Sequence, residues 1–153
     1  MNGFYLMLAM AGGAMMPVQA AMNARLAQGV GGTTWATALS ALGVAVVLSV
    51  AGLIAGHGRW AGATWQAPWW AWGGGFCGAI VLFAAAAATP RIGAMTMVAL
   101  MVAGQALASA ALDARGWFGL TAQPPTAARI VAALLIVAGA IILALSSSPA
   151  RSN

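Results

Sequence analysis

The chain reads as an all-α membrane protein of five transmembrane helices. Two observations carry this. Five apolar stretches, about 4–23, 35–56, 69–88, 92–112 and 126–146, each approach the roughly 20 residues a helix needs to cross a bilayer. The whole sequence is 63% hydrophobic and only 5% charged, against roughly 25% charged in a soluble domain. In 153 residues these stretches leave room only for short loops, so a single transmembrane domain over 1–153 is expected.

The first stretch, Phe4 to Asn23, contains Pro17, whose ring frees the carbonyl of Gly13 and permits a kink. No Lys or Arg precedes the apolar run, as the basic start of a signal peptide requires, so the stretch is taken as a first span. Gly29-Val30-Gly31-Gly32 forms a turn, with Thr33 or Thr34 available to cap span 2. Span 2, Trp35 to Gly56, ends in the small-residue spacing Gly52–Gly56. The longest break follows, carrying His57, Trp60 and Trp65. Span 3 opens with Trp69, Trp70 and Trp72, rings that suit the headgroup belt. Gly74 and Gly78, like Gly52 and Gly56, would let helices approach closely. Pro90 and Arg91 make a short turn into span 4, and Pro124 and Pro125 close a second loop before span 5. Thr126 is placed to cap span 5, and the tail from Ser146 is polar. No internal repeat is visible.

Charge adds a topological clue. All six basic residues are arginines, and there is one acid. As the chain weaves, Arg25, Arg91 and Arg151 fall on one side and Arg59, Arg115 and Arg129 on the other. An excess of basic residues in cytoplasmic loops normally fixes orientation, and here the excess is zero. Such a chain can insert both ways, and an odd span number makes two opposite copies an inverted repeat, the architecture of secondary transporters. A sequence pI near 11.7 would point to nucleic acid in a soluble protein, but arginines set singly at span ends snorkel to headgroups and form no patch. Cys77 stands alone in an apolar run and reads as a small packed residue; no disulfide, metal cluster or cofactor is indicated.

Candidate transport residues lie in spans 4 and 1. Met97, Met101, Gln105, Ser109 and Asp113 recur at a spacing of four, which reads as one helical face. Gln105 either lines a cavity or hydrogen-bonds a neighbouring helix, a contact worth only about 0.6 kcal/mol in membranes. Met16, Gln19 and Asn23 supply a matching face in span 1. Gln19 lies roughly 8 Å and Gln105 roughly 4–5 Å from their span midpoints, in directions that coincide only between antiparallel partners. On that basis Gln19 of one copy and Gln105 of the other are expected to share a cavity. Trp72 either joins the aromatic belt or stacks on a substrate. Asp113 is either a coupling group or part of an ion pair or cap near Arg115, and His57 is read as a solvated loop residue.

Pro17-Val18-Gln19-Ala20-Ala21-Met22-Asn23-Ala24-Arg25-Leu26 resembles the P-x-Q-x-x-x-N-x-x-L signature of the YdcZ-type five-span branch of the drug/metabolite transporter superfamily. The resemblance continues through Trp69-Trp70-Ala71-Trp72-Gly73-Gly74, Pro90-Arg91-Ile92-Gly93, Gly104-Gln105, Asp113-Ala114-Arg115-Gly116, Arg129 and Gly139. Ala114-Arg115 stand where the family often has an aromatic pair, and Ala132-Ala133 where it has an early glycine. The resemblance implies a multi-pass protein of the bacterial inner membrane and an inverted-repeat fold completed by an antiparallel homodimer or an opposite-facing paralogue. It also implies a transporter of small molecules, with membrane lipid as surroundings. An exporter of an amphiphilic or cationic compound is the leading reading. A dual-topology ion channel and a non-transporting assembly subunit are the alternatives. Small multidrug exporters of the superfamily exchange protons through a mid-membrane carboxylate, and no span here contains one. No nucleophile–base pair or paired carboxylates point to an enzyme.

Overall fold

The computed structural model describes residues 3–55 and 68–146. Within them are five helices long and apolar enough to cross a membrane, and no strand among the described residues. We number the α-helices α1 (Gly3–Ala27), α2 (Thr33–Ile54), α3 (Gly74–Ile92), α4 (Ala94–Arg115) and α5 (Ala127–Ser146). A 3-10 turn, Trp69–Gly73, leads into α3, and another, Trp117–Gly119, follows α4.

Burial runs opposite to that of a water-soluble protein. Most Leu, Ile, Val and Phe side chains are exposed, while the buried apolar set is small: Ala20, Ala36, Ala85, Ala86, Ala103 and Ala140, with Met97. Lipid is as apolar as leucine, so large side chains gain nothing from facing inward, and small ones let helices pack closely. Two compact units are distinguished, Met1–Pro17 with Ala88–Asn153, and Val18–Ala87.

Helix ends differ from the sequence expectation where backbone geometry decides them. α1 runs on to Ala27 and stops where Gly31 and Gly32 take φ of 87° and 126°, conformations open to glycine. Pro17 lies inside α1 without ending it. Gly32, and not Thr33 or Thr34, is the N-cap of α2; both threonines are already helical. The turn between spans 3 and 4 is set by Gly93, not by Pro90 and Arg91. Pro90 is carried inside the last turn of α3, because the chain reverses only at Gly93, with φ of 79°. Gly93 N–H donates to the Thr89 carbonyl (3.0 Å), and its own carbonyl accepts from Met97 N–H (3.1 Å). Thr126 does cap α5: its carbonyl accepts from Ile130 N–H at 3.0 Å, and its hydroxyl from Arg129 N–H at 3.4 Å.

Two packing expectations fail within the chain. A Cβ at Gly52, Gly74 or Gly78 would meet nothing within 4 Å, so none of these glycines marks a close helix approach. Cys77 is exposed on α3 instead of packed. Trp69 and Trp72 are exposed, as an aromatic belt requires. Gly56, His57, Arg59, Trp60, Trp65 and Arg151 lie outside the described residues.

Helices α4 and α5 form an antiparallel hairpin in the first unit. Its loop is tied back at the base. Gly116 ends α4 in the left-handed conformation (φ 62°, ψ 32°) with its N–H on the Leu112 carbonyl. Gln123 N–H then donates to the Asp113 carbonyl at 2.8 Å. Between them Phe118 holds a φ of 59°, rare for a side chain of that size.

Candidate functional site

The polar side chains of α4 do not form the single stripe that their spacing suggests. A step of four residues advances about 40° round a helix of 3.6 residues per turn, so four such steps from Met97 to Asp113 turn by about 160°. These residues therefore spiral across the helix instead of sharing a face. Met97 is 2% exposed, Met101 half-buried, and Gln105 and Ser109 exposed. The Ser109 hydroxyl donates to the Ala106 carbonyl of its own helix (3.1 Å), so it asks for no other partner. Gln105 has no hydrogen-bond partner among the described residues.

Depth singles out Gln105 further. α4 is 22 residues long, and its midpoint falls between Gly104 and Gln105. The expected displacement from the midpoint thus disappears, because the helix extends to Arg115 at its far end. Gln19 remains about 6 Å from the middle of α1, so Gln19 of one copy and Gln105 of another do not share the depth expected of them. Gln19 is half-buried on α1, as is Met16 one turn earlier. Trp72, in the 3-10 turn before α3, is exposed.

Asn23 is the buried polar side chain of α1, at 5% exposure. Among the described residues its Nδ2 is the buried side-chain atom with no hydrogen bond. It borders a groove of about 760 Å³ with Met22, Arg25, Leu26, Leu39 and Ser40. The Arg25 guanidinium donates to the Gln28 side-chain carbonyl. A buried donor without an acceptor costs about 1–3 kcal/mol.

The acid at the end of α4 has a different neighbour from the one expected. Arg115 turns away and lies over the Trp117 ring, 4.8 Å from its centroid. Asp113 instead faces Arg129 across the hairpin, with Oδ2 and Nη1 3.9 Å apart and both side chains about half exposed. Arg129 Nη2 donates to Gln123 Oε1 at 2.6 Å. These groups border a cavity of about 280 Å³, otherwise walled by apolar side chains of α4 and α5 and by Pro125 of the loop between them. Sequence reasoning missed Arg129 and Gln123 here. The signal was present: two antiparallel helices joined by a short loop place the last turn of one beside the first turn of the next.

No curated protein and no solved structure matches this chain. The family described as "Putative inner membrane exporter, YdcZ" matches residues 4–142. That stretch enters all five helices, from the start of α1 to the last turns of α5, and the chain belongs to this family as a multi-pass inner-membrane protein.

Proposed function

We propose that the protein exports a small, uncharged amphiphilic compound by alternating access, as a homodimer of two oppositely inserted copies. The observation that carries the reading is the place of Gln105: mid-helix, exposed on the single chain and without a hydrogen-bond partner among the described residues. An amide facing hydrocarbon loses its hydrogen bonds to water and recovers none, so such a group belongs against protein or in a cavity. A two-fold axis in the membrane plane carries a residue to the same distance beyond the midplane. Only a residue at the midplane meets its own copy at equal depth. With α4 centred on the bilayer, the two Gln105 amides of the dimer stand level, each beside an adaptable Met101.

Symmetry also supplies the cycle. If the two subunits of such a dimer adopt different shapes, exchanging those shapes converts an inward-open state into an outward-open one of equal energy. The substrate class follows from charge. Asp113 is the only Asp or Glu, and it stands in the last turn of α4, so no carboxylate awaits a cation at the midplane.

Efflux of Nile Red, a neutral dye, and ethidium, a cationic one, from cells expressing the protein tests the reading. Gln105→Leu should lower Nile Red efflux about tenfold or more with unchanged membrane insertion, the factor set by losing one hydrogen bond of roughly 1.4 kcal/mol. Gln105→Cys in a Cys77→Ala background should cross-link into dimers with a short bifunctional thiol reagent. Efflux indifferent to Gln105→Leu would defeat the place given to Gln105 in the site, and no Nile Red efflux from the native protein would defeat the transport reading. Lost efflux without cross-linking would defeat only the dimer geometry. Current without efflux would identify a channel.

A further inference from the structure

We infer that the end of the α4–α5 hairpin is a binding site for a membrane phospholipid with a phosphoethanolamine headgroup. The inference rests on the placement of the helices in a membrane and not on the transport reading. α4 spans about 33 Å at 1.5 Å per residue, slightly more than the roughly 30 Å hydrocarbon core, so its last turn lies at the inner edge of the headgroup layer, with Asp113 about 13 Å from the midpoint. Asp113 belongs to that turn, and Arg129 to the facing first turn of α5.

The two charges are held near each other without being consumed by each other. Their 3.9 Å separation exceeds a direct hydrogen bond, and both side chains are about half exposed. Gln123 Oε1 takes one guanidinium N–H and fixes its plane, leaving further N–H groups to donate. A carboxylate and a guanidinium so presented match a zwitterion. The ammonium of the headgroup donates to Asp113, and its phosphate accepts from Arg129. Below them the cavity continues along Leu107, Ile130 and Leu134, all exposed toward hydrocarbon. From Asp113 to Leu107 it descends about 9 Å toward the midplane, the path of an acyl chain leaving a headgroup. Phosphatidylcholine has no N–H to offer Asp113. Phosphatidylglycerol has no cation and brings a second negative charge to it. The apolar wall therefore commits the site to a lipid, and the acid selects the primary ammonium.

The native protein in detergent, titrated with dioleoyl phosphatidylethanolamine, phosphatidylcholine or phosphatidylglycerol and read by native mass spectrometry, tests this. Phosphatidylethanolamine should be retained about tenfold better than either other lipid, as one charge-assisted hydrogen bond allows. Water-soluble O-phosphoethanolamine at equal concentration should not displace it. Asp113→Asn should bring phosphatidylethanolamine down to the phosphatidylcholine level and raise phosphatidylglycerol retention. Equal retention of the three lipids, or a preference of the native protein for phosphatidylglycerol, would overturn the proposal. Displacement by O-phosphoethanolamine would overturn it too, by showing a soluble zwitterion as the ligand. The lipid ranking needs no variant, so a poorly folding Asp113→Asn leaves the test decisive.

Discussion

Asn23 poses the sharpest question at the residue scale. Its Nδ2 is buried and unbonded, an arrangement that costs stability and returns none. Leucine has a similar volume and no polar atom to leave unsatisfied. Asn23→Leu should raise the thermal stability of the detergent-solubilised protein by about 1–3 kcal/mol while lowering dye efflux, because a residue retained at a cost to stability marks function. Unchanged efflux in a stabilised Asn23→Leu variant would return Asn23 to a packing role. Its burial was not legible in the sequence. Asn23 and Gln19 stand one turn apart in the same motif, yet one is buried and the other half-buried, and only the packed helices tell them apart.

The elements were legible as helices and much less so at their ends. Five apolar runs set the count, since runs of about 20 residues have the length of a membrane-crossing helix and about twice that of a barrel strand. Their boundaries depend on single torsions. Pro90 looks like a helix stop and is tolerated; Gly93, three residues on, reverses the chain. The spacing-of-four stripe failed for a geometric reason, the drift of about 40° per step, which is harmless over one turn and decisive over four. Gly116 is the position on which the α4–α5 hairpin most depends. A Cβ there would lie 2.9 Å from the Leu120 carbonyl oxygen and 3.1 Å from Ala122 N, in a left-handed conformation that itself costs an L-residue about 1–2 kcal/mol. Gly116→Ala should therefore destabilise the protein by about 2 kcal/mol or more, measured by thermal unfolding in detergent. Gly139→Ala, where a Cβ meets nothing within 4 Å, is the matched control and should cost nothing.

Orientation belongs to the whole molecule, and it is argued from the charges at the helix ends. The described arginines sit at helix ends: Arg25 in the last turn of α1, Arg91 of α3 and Arg115 of α4, with Arg129 in the first turn of α5. If their balance sets a mixed orientation, reporters fused at the C-terminus should be active on both sides of the membrane. Gln28→Lys with Gly29→Lys, both in the α1–α2 turn, would add two positive charges to one side and should leave only one reporter active. Dye efflux should fall with it, since copies facing one way cannot form an antiparallel pair. A single active reporter from the unmodified chain would show a fixed orientation and require an opposite-facing partner.

The central place of Gln105 on α4 also bears on how such a protein can change over generations. In the antiparallel homodimer we propose, two copies of Gln105 stand level and one codon would write both walls of the site. An improvement for one wall is imposed on the other, and every substitution is made twice in the same stroke. Specificity for a lopsided molecule then lies beyond any point mutation. It becomes reachable only after the gene is duplicated and the two products diverge.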